Sequence, residues 1–204
     1  MTKSRDTADI NSGTNTAVGE DALESNTASS NTAVGYGALT RNTSGTRNVG
    51  IGHTSLNFNT TASYNTALGF RGLFSNTTGA SNVGLGYQAL DTNTSGSNNV
   101  AIGRDALVLN STASNNTAVG YQAGYSNTTG TNNTVVGRDA GYSNQTADGN
   151  VFIGEYAGRN TTNSNNTFLG TSSGWQVTSG QKNTILGRYN GNQNGLDIRT
   201  LSNR

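Results

Sequence analysis

Asn31-Thr32-Ala33-Val34-Gly35-Tyr36-Gly37-Ala38-Leu39-Thr40-Arg41-Asn42-Thr43-Ser44-Gly45-Thr46-Arg47 decides the fold, because variants of this stretch fill most of the chain. They open at Asn15, Asn31, Asn48, Asn65, Asn82, Asn99, Asn116, Asn133, Asn150, Asn166 and Asn183. The spacing is 17 residues eight times and 16 twice, in the units opening at Asn15 and Asn150. A period this strict means one supersecondary unit stacked on copies of itself.

Positions are counted here from the opening Asn as offset zero. The third offset is aliphatic in every unit, from Val18 and Val34 to Leu169 and Leu186. The fourth is always Gly, from Gly19 to Gly187. A short apolar run, often β-branched, that ends in Gly reads as a strand followed by a sharp bend. The second half, as in Asn42-Thr43-Ser44-Gly45, is turn chemistry. No unit carries a helical apolar pattern. The reading is all-β: a β-solenoid or β-roll of about 17-residue coils, with one or two short strands per coil. Equivalent residues then form axial columns. Asn15, Asn31 and Asn48 start one, and Asn26, Asn42, Asn59, Asn76, Asn93, Asn110, Asn127 and Asn144 form another. Stacked amides of this kind can hydrogen-bond along the axis.

One exchange interrupts the uniformity. The eighth offset holds Leu23, Leu39, Leu56, Leu73, Leu90 and Leu107, then Gly124, Gly141, Gly158, Gly174 and Gly191. The second offset changes the opposite way, from small residues to Val135, Phe152, Phe168 and Ile185. This predicts a core refilled at similar volume.

Composition narrows the function. Charged residues are 11% of the 204 and the formal net charge is +1, so no polyanion-binding surface is expected and nucleic acid is not an expected partner. Leu, Ile, Val and Phe are only about 17% of the chain. Disorder also needs high net charge, which is missing, and register kept over eleven units argues for order. There is no Cys, hence no thiolate metal site or thiol chemistry, and no Pro, which suits a continuous ladder. No apolar run reaches membrane-span length, and residues 1–13 lack the apolar core of a signal peptide.

Each coil offers about two sizeable apolar side chains, such as Val34 and Leu39. Their burial falls short of the conformational entropy of fixing the coil. Backbone ladders and other chains must help. The expectation is a homotrimeric fibre, intertwined or side by side. The small second-offset residues Ala17, Ala33, Gly50, Ala67, Gly84, Ala101 and Ala118 would lie near its axis.

The units Asn99-Val100-Ala101-Ile102-Gly103 and Asn116-Thr117-Ala118-Val119-Gly120-Tyr121-Gln122-Ala123-Gly124 resemble two kinds of repeat. One is the shorter Val-Ala-Ile-Gly repeat of trimeric autotransporter adhesin heads. The closer one is the Asn-Thr-Ala-Val-Gly-Tyr-Gln-Ala array of bacteriophage and viral tail-fibre proteins. After Gly187 the repeat decays into Asn190-Gly191-Asn192-Gln193-Asn194-Gly195 and Leu196-Asp197-Ile198-Arg199. This is similar to the lead-in to a C-terminal intramolecular chaperone of the endosialidase type, which would have been cleaved after trimerisation or would lie beyond a fragment. The resulting plan is a polar lead over 1–14, eleven repeats over 15–187 and a connector over 188–204. The resemblance implies a virion fibre at the virion surface or outside cells, acting as a shaft or receptor-binding element. Its partners would be itself, a host cell-surface glycan or protein and other virion proteins, without membrane insertion.

Chemistry is sparse. The sole histidine, His53, sits at the fifth offset, where other units carry Tyr36, Phe70, Tyr87, Arg104, Tyr121, Arg138 and Glu155. A column so tolerant is read as solvent-exposed rather than catalytic. Glu20 and Asp21 are the only adjacent acidic pair, and no repeated acidic column supports glycosidase-like or calcium-binding chemistry. The expectation is no enzyme, no metal and no cofactor. Tyr36, His53, Phe70, Tyr87, Arg104, Tyr121 and Arg138 are the candidate receptor-binding column, since aromatic and Arg side chains favour binding sites and ring faces can stack on sugars. Two other classes compete. Thr27, Thr43, Thr60, Thr77, Thr94 and Thr128 could form the flat Thr ladder of an ice-binding solenoid. Uncapped β edges would favour a self-assembling extracellular filament or adhesin.

Overall fold

A computed structural model describes residues 14–188, 190, 192, 193, 196 and 197. Each repeat contributes one three-residue strand: Thr16–Val18, Thr32–Val34, Val49–Ile51, Thr66–Leu68, Val83–Leu85, Val100–Ile102, Thr117–Val119, Thr134–Val136, Val151–Ile153, Thr167–Leu169 and Thr184–Leu186, here β1 to β11. They form one parallel sheet in chain order, every strand paired with its sequence neighbours. The register is column on column, as in Ala17 with Ala33 and Phe152 with Phe168. Ten steps of about 4.8 Å give a stack roughly 48 Å long. The chain is a β-solenoid with 17-residue coils. Most of the connector lies outside the described residues. Its described part includes a short antiparallel pair, Asn192–Gln193 with Leu196–Asp197.

The backbone ladder extends around the whole coil. The Val49 N–H donates to the Asn65 carbonyl at 2.8 Å, Gly52 to Val34 at 2.7 Å, Leu56 to Gly72 at 3.0 Å and Thr60 to Thr77 at 3.2 Å. Gly at the fourth offset makes this stacking possible. Gly103 has φ +127°, and a Cβ there would sit 2.5 Å from the Gly120 carbonyl oxygen. Only a residue without a side chain permits both that dihedral and that approach.

Two amide columns close each coil. The backbone N–H of every repeat-opening Asn from Asn31 to Asn183 donates to Oδ1 of the Asn before it, at 2.8–3.1 Å. In the eleventh-offset column, Nδ2 of Asn42, Asn59, Asn76, Asn93, Asn110 and Asn127 donates to Oδ1 of the preceding Asn at 2.6–2.9 Å. Both columns also converge within a coil: Asn82 and Asn93 donate to the same Gly96 carbonyl, at 2.8 and 3.0 Å. Asn144 leaves this pattern. Its amide bonds only within its own coil, to Ala147, and Thr161 and Val177 continue the column.

The structure places the predicted core exchange in atomic contact. In the early coils, Leu39, Leu56, Leu73 and Leu90 are fully buried over Ala or Gly at the second offset. In the later coils Phe152 and Phe168 fill that space, stacked with centroids 5.2 Å apart. A Cβ on Gly174 would lie 2.3 Å from the Phe168 ring, so the large residue must change columns rather than be added. The Leu residues at this offset have φ of 49–56°, a left-handed geometry that costs about 1–2 kcal/mol each and that Gly adopts freely.

Two expectations are corrected. The second-offset small residues face the interior: Ala33, Ala67, Ala101 and Ala118 are fully buried by their own chain, so they do not line an intermolecular axis. The third-offset aliphatics face outward instead. Val34 is only half-buried, and Leu68 and Leu169 are 49% and 46% exposed. Alternation along a three-residue strand sends the first and third residues to one side and the second to the other. The interior level with the strand is already filled by the eighth-offset Leu and admits only Ala or Gly.

Candidate functional site

Three sides follow from this coil. The sheet side carries offsets one and three, the first bend carries offsets five to ten, and the second bend carries offsets twelve to sixteen. They differ in chemistry. Seventeen Asp, Glu, His, Lys or Arg residues lie between 14 and 188, and fourteen of them stand at offsets five, six, nine or ten. Eleven aromatic residues in this range lie outside the core, and ten stand at the same four offsets. This first bend is the candidate recognition face.

The fifth-offset residues form a continuous pile. Tyr36 stacks on His53 (5.1 Å, 29° between planes), His53 on Phe70 (5.4 Å, 24°) and Phe70 on Tyr87 (5.2 Å, 13°). The Arg104 guanidinium continues it, 5.3 Å from the Tyr87 ring centre and 5.9 Å from that of Tyr121. Tyr36, Phe70, Tyr87 and Tyr121 remain exposed. Stacking at coil spacing turns most ring faces toward neighbouring rings. What solvent meets is therefore mainly ring edges and polar tips rather than open platforms. His53 is a member of this pile, with Nδ1 3.3 Å from Thr54 Oγ1. Arg138 lies apart from the pile. Its guanidinium sits 4.7 Å from the Tyr156 ring centre and 3.5 Å from the Glu155 carboxylate.

Offsets six, nine and ten join this face, and reading the fifth offset alone missed them. Arg71 makes a two-pronged ion pair with buried Asp91, at 2.9 and 3.0 Å, while its guanidinium covers Phe74 at 3.9 Å. Arg41 covers Phe58 at 4.0 Å. Tyr125 stacks on Tyr142 (4.9 Å, 9°), and Tyr156 on Trp175 (5.7 Å, 21°). Arg159 lies between Tyr142 and Tyr156, at 5.1 and 5.9 Å. The signal was present in the sequence as an uneven spread of charge and aromatics over the offsets. It becomes a face only once the coil geometry puts those offsets on one side.

The second bend is Thr- and Ser-rich. Oγ1 of Thr27, Thr43, Thr60, Thr77, Thr94 and Thr128 each donates to a main-chain carbonyl of the next coil at 2.8–3.1 Å. Among the described residues, no group of three His, Asp or Glu is placed to hold a metal ion, and no helix is long and apolar enough to cross a membrane. No family model, curated protein or solved structure matches this chain.

Proposed function

We propose that the chain is the repeat shaft of a virion or extracellular fibre, assembled from three copies that bury their sheet sides together and turn their aromatic faces outward to a host-surface glycan or protein. The observation that carries this reading is the outward aliphatic column: Val18, Val34, Ile51, Leu68, Leu85, Ile102, Val119, Val136, Ile153, Leu169 and Leu186. The column beside it holds only Thr and Val, from Thr16 to Thr184, so no charge interrupts the strip. At a width of about 10 Å it covers roughly 500 Å², the size of the largest and often functional apolar patch of a single chain. Covering the exposed half of eleven such side chains contributes on the order of 10 kcal/mol per chain, comparable with the cost of association. The aromatic face and the repeat resemblance support placement outside cells or on a virion. This reading assigns no catalytic residue, metal or cofactor.

Light scattering tests it. The expected mass is about three times the 21.0 kDa of one chain, and the triple variant Leu68→Glu, Ile102→Glu, Leu169→Glu should give folded single chains. A monodisperse monomer for the unaltered protein overturns it. Electron microscopy should show short rods, whereas indefinite polymers favour the filament reading. The ice-binding reading loses support because each of those Thr hydroxyls already donates its proton to a neighbouring coil.

A further inference from the structure

Near the last described coil, Ser172, Trp175, Arg188 and Asn190 line a recess of about 300 Å³. Trp175 is the only tryptophan in the chain and is 39% exposed. Its indole is braced by Tyr156, which is itself covered by the Arg138 guanidinium. The lining backbone is fixed. The Trp175 N–H donates to Ser172 at 3.2 Å, Ser172 to Glu155 at 2.7 Å and Gln176 to Asn190 at 2.7 Å. Arg188 is exposed and, among the described residues, is the only charged one lining the recess and makes no ion pair.

The ninth offset is a mixed column, running from Glu24 and Thr40 to Tyr142 and Arg159, and among the described residues the Trp175 indole is the largest side chain in it. Around it stand a guanidinium, an amide and a hydroxyl. A volume at the lower end of ligand sites suits one ring, not a chain of them. An indole offers apolar area to the C–H bonds of a pyranose, a guanidinium matches a carboxylate with two parallel hydrogen bonds, and amide and hydroxyl groups serve sugar hydroxyls.

We propose that this recess binds a single carboxylate-bearing pyranose, the terminal unit of an acidic glycan: ring against Trp175, carboxylate on Arg188, hydroxyls on Ser172 and Asn190. The inference rests on the attachment reading and names its ligand class. The sole tryptophan supplies the probe. Titration of the full chain with glucuronic acid should change its fluorescence saturably, with a Kd of about 1 mM. Glucose should bind at least fivefold more weakly, and acetate should give no saturable change. Arg188→Gln should bring glucuronic acid down to the level of glucose, with an unchanged far-ultraviolet circular dichroism spectrum. Trp175→Phe, followed by calorimetry, should weaken both sugars. Absence of saturation, equal affinity for glucose and glucuronic acid, or an unaltered affinity in Arg188→Gln overturns the assignment. Mass and electron microscopy separate the two proposals: trimeric rods without sugar binding sink the recess alone, and sugar binding by a monomer sinks the trimeric fibre alone.

Discussion

Replacing Asn93 by Ala tests whether the amide column holds the coils together. Asn93 is fully buried. Its Nδ2 donates to Asn76 Oδ1 at 2.8 Å and to the Gly96 carbonyl at 3.0 Å, and its Oδ1 accepts from Asn110 Nδ2 at 2.9 Å. After substitution the Gly96 carbonyl keeps the Asn82 amide and Asn110 keeps the Ala113 carbonyl. Asn76 Oδ1 loses the one donor described for it and stays buried. An orphaned buried acceptor costs about 1–3 kcal/mol, and the two weakened partners add to it. The expected loss is roughly 2–4 kcal/mol per chain, read as a lower urea midpoint at fixed protein concentration. Asn93→Asp sharpens the test. It faces Asn76 Oδ1 with an oxygen instead of a donor, in a site without solvent. Burial raises the folded-state pKa of such a carboxyl above its unfolded value of about 3.9. The folded state then binds the extra proton, so this variant is most stable below about pH 4 and loses stability as pH rises through the folded-state value. A cost below about 0.5 kcal/mol for Asn93→Ala, typical of surface changes, would refute a holding role for the column.

Three further outcomes follow from the same geometry. Gly103→Ala combines φ +127° with a contact 2.5 Å from the Gly120 carbonyl oxygen, and should cost more than about 3 kcal/mol or abolish soluble β structure by circular dichroism, whereas Gly37→Ala, whose nearest contact is a side-chain atom at 3.2 Å, should be far milder. Gly174→Leu should unfold the late coils, and adding Phe168→Ala should restore them, with a coupling energy of at least about 1 kcal/mol in a double-mutant cycle by urea titration. Arg71→Ala should cost about 1–2 kcal/mol by thermal melting, because it leaves the carboxylate of Asp91, only 6% exposed, without its guanidinium; the solvent around half-exposed Arg71 keeps the loss below that of a fully buried pair.

The repeat made the stack legible before any coordinates. Identical residues at identical offsets fix a parallel, in-register sheet, and an invariant Gly after each aliphatic marks where the strand must bend. The amide columns and the Leu-to-Phe exchange could be read in the same way, because each is a column property and columns are visible in sequence. Inside and outside were not visible. In Thr32-Ala33-Val34 both Ala33 and Val34 are apolar, and a preference for burying the larger residue picks the wrong one. The choice was made by Leu39, five residues beyond Val34, which occupies the narrow interior and leaves room only for Ala. The candidate recognition face was likewise spread over four offsets whose common side depends on Gly at the fourth offset and on left-handed residues such as Leu39 and Arg71. Sequence alone thus determined the period, the pairing and the columns, since these follow from repetition. Tertiary structure alone decided which columns face the core, which aliphatics stay at the surface and which aromatics meet solvent, since these depend on how each coil turns and what volume remains inside it.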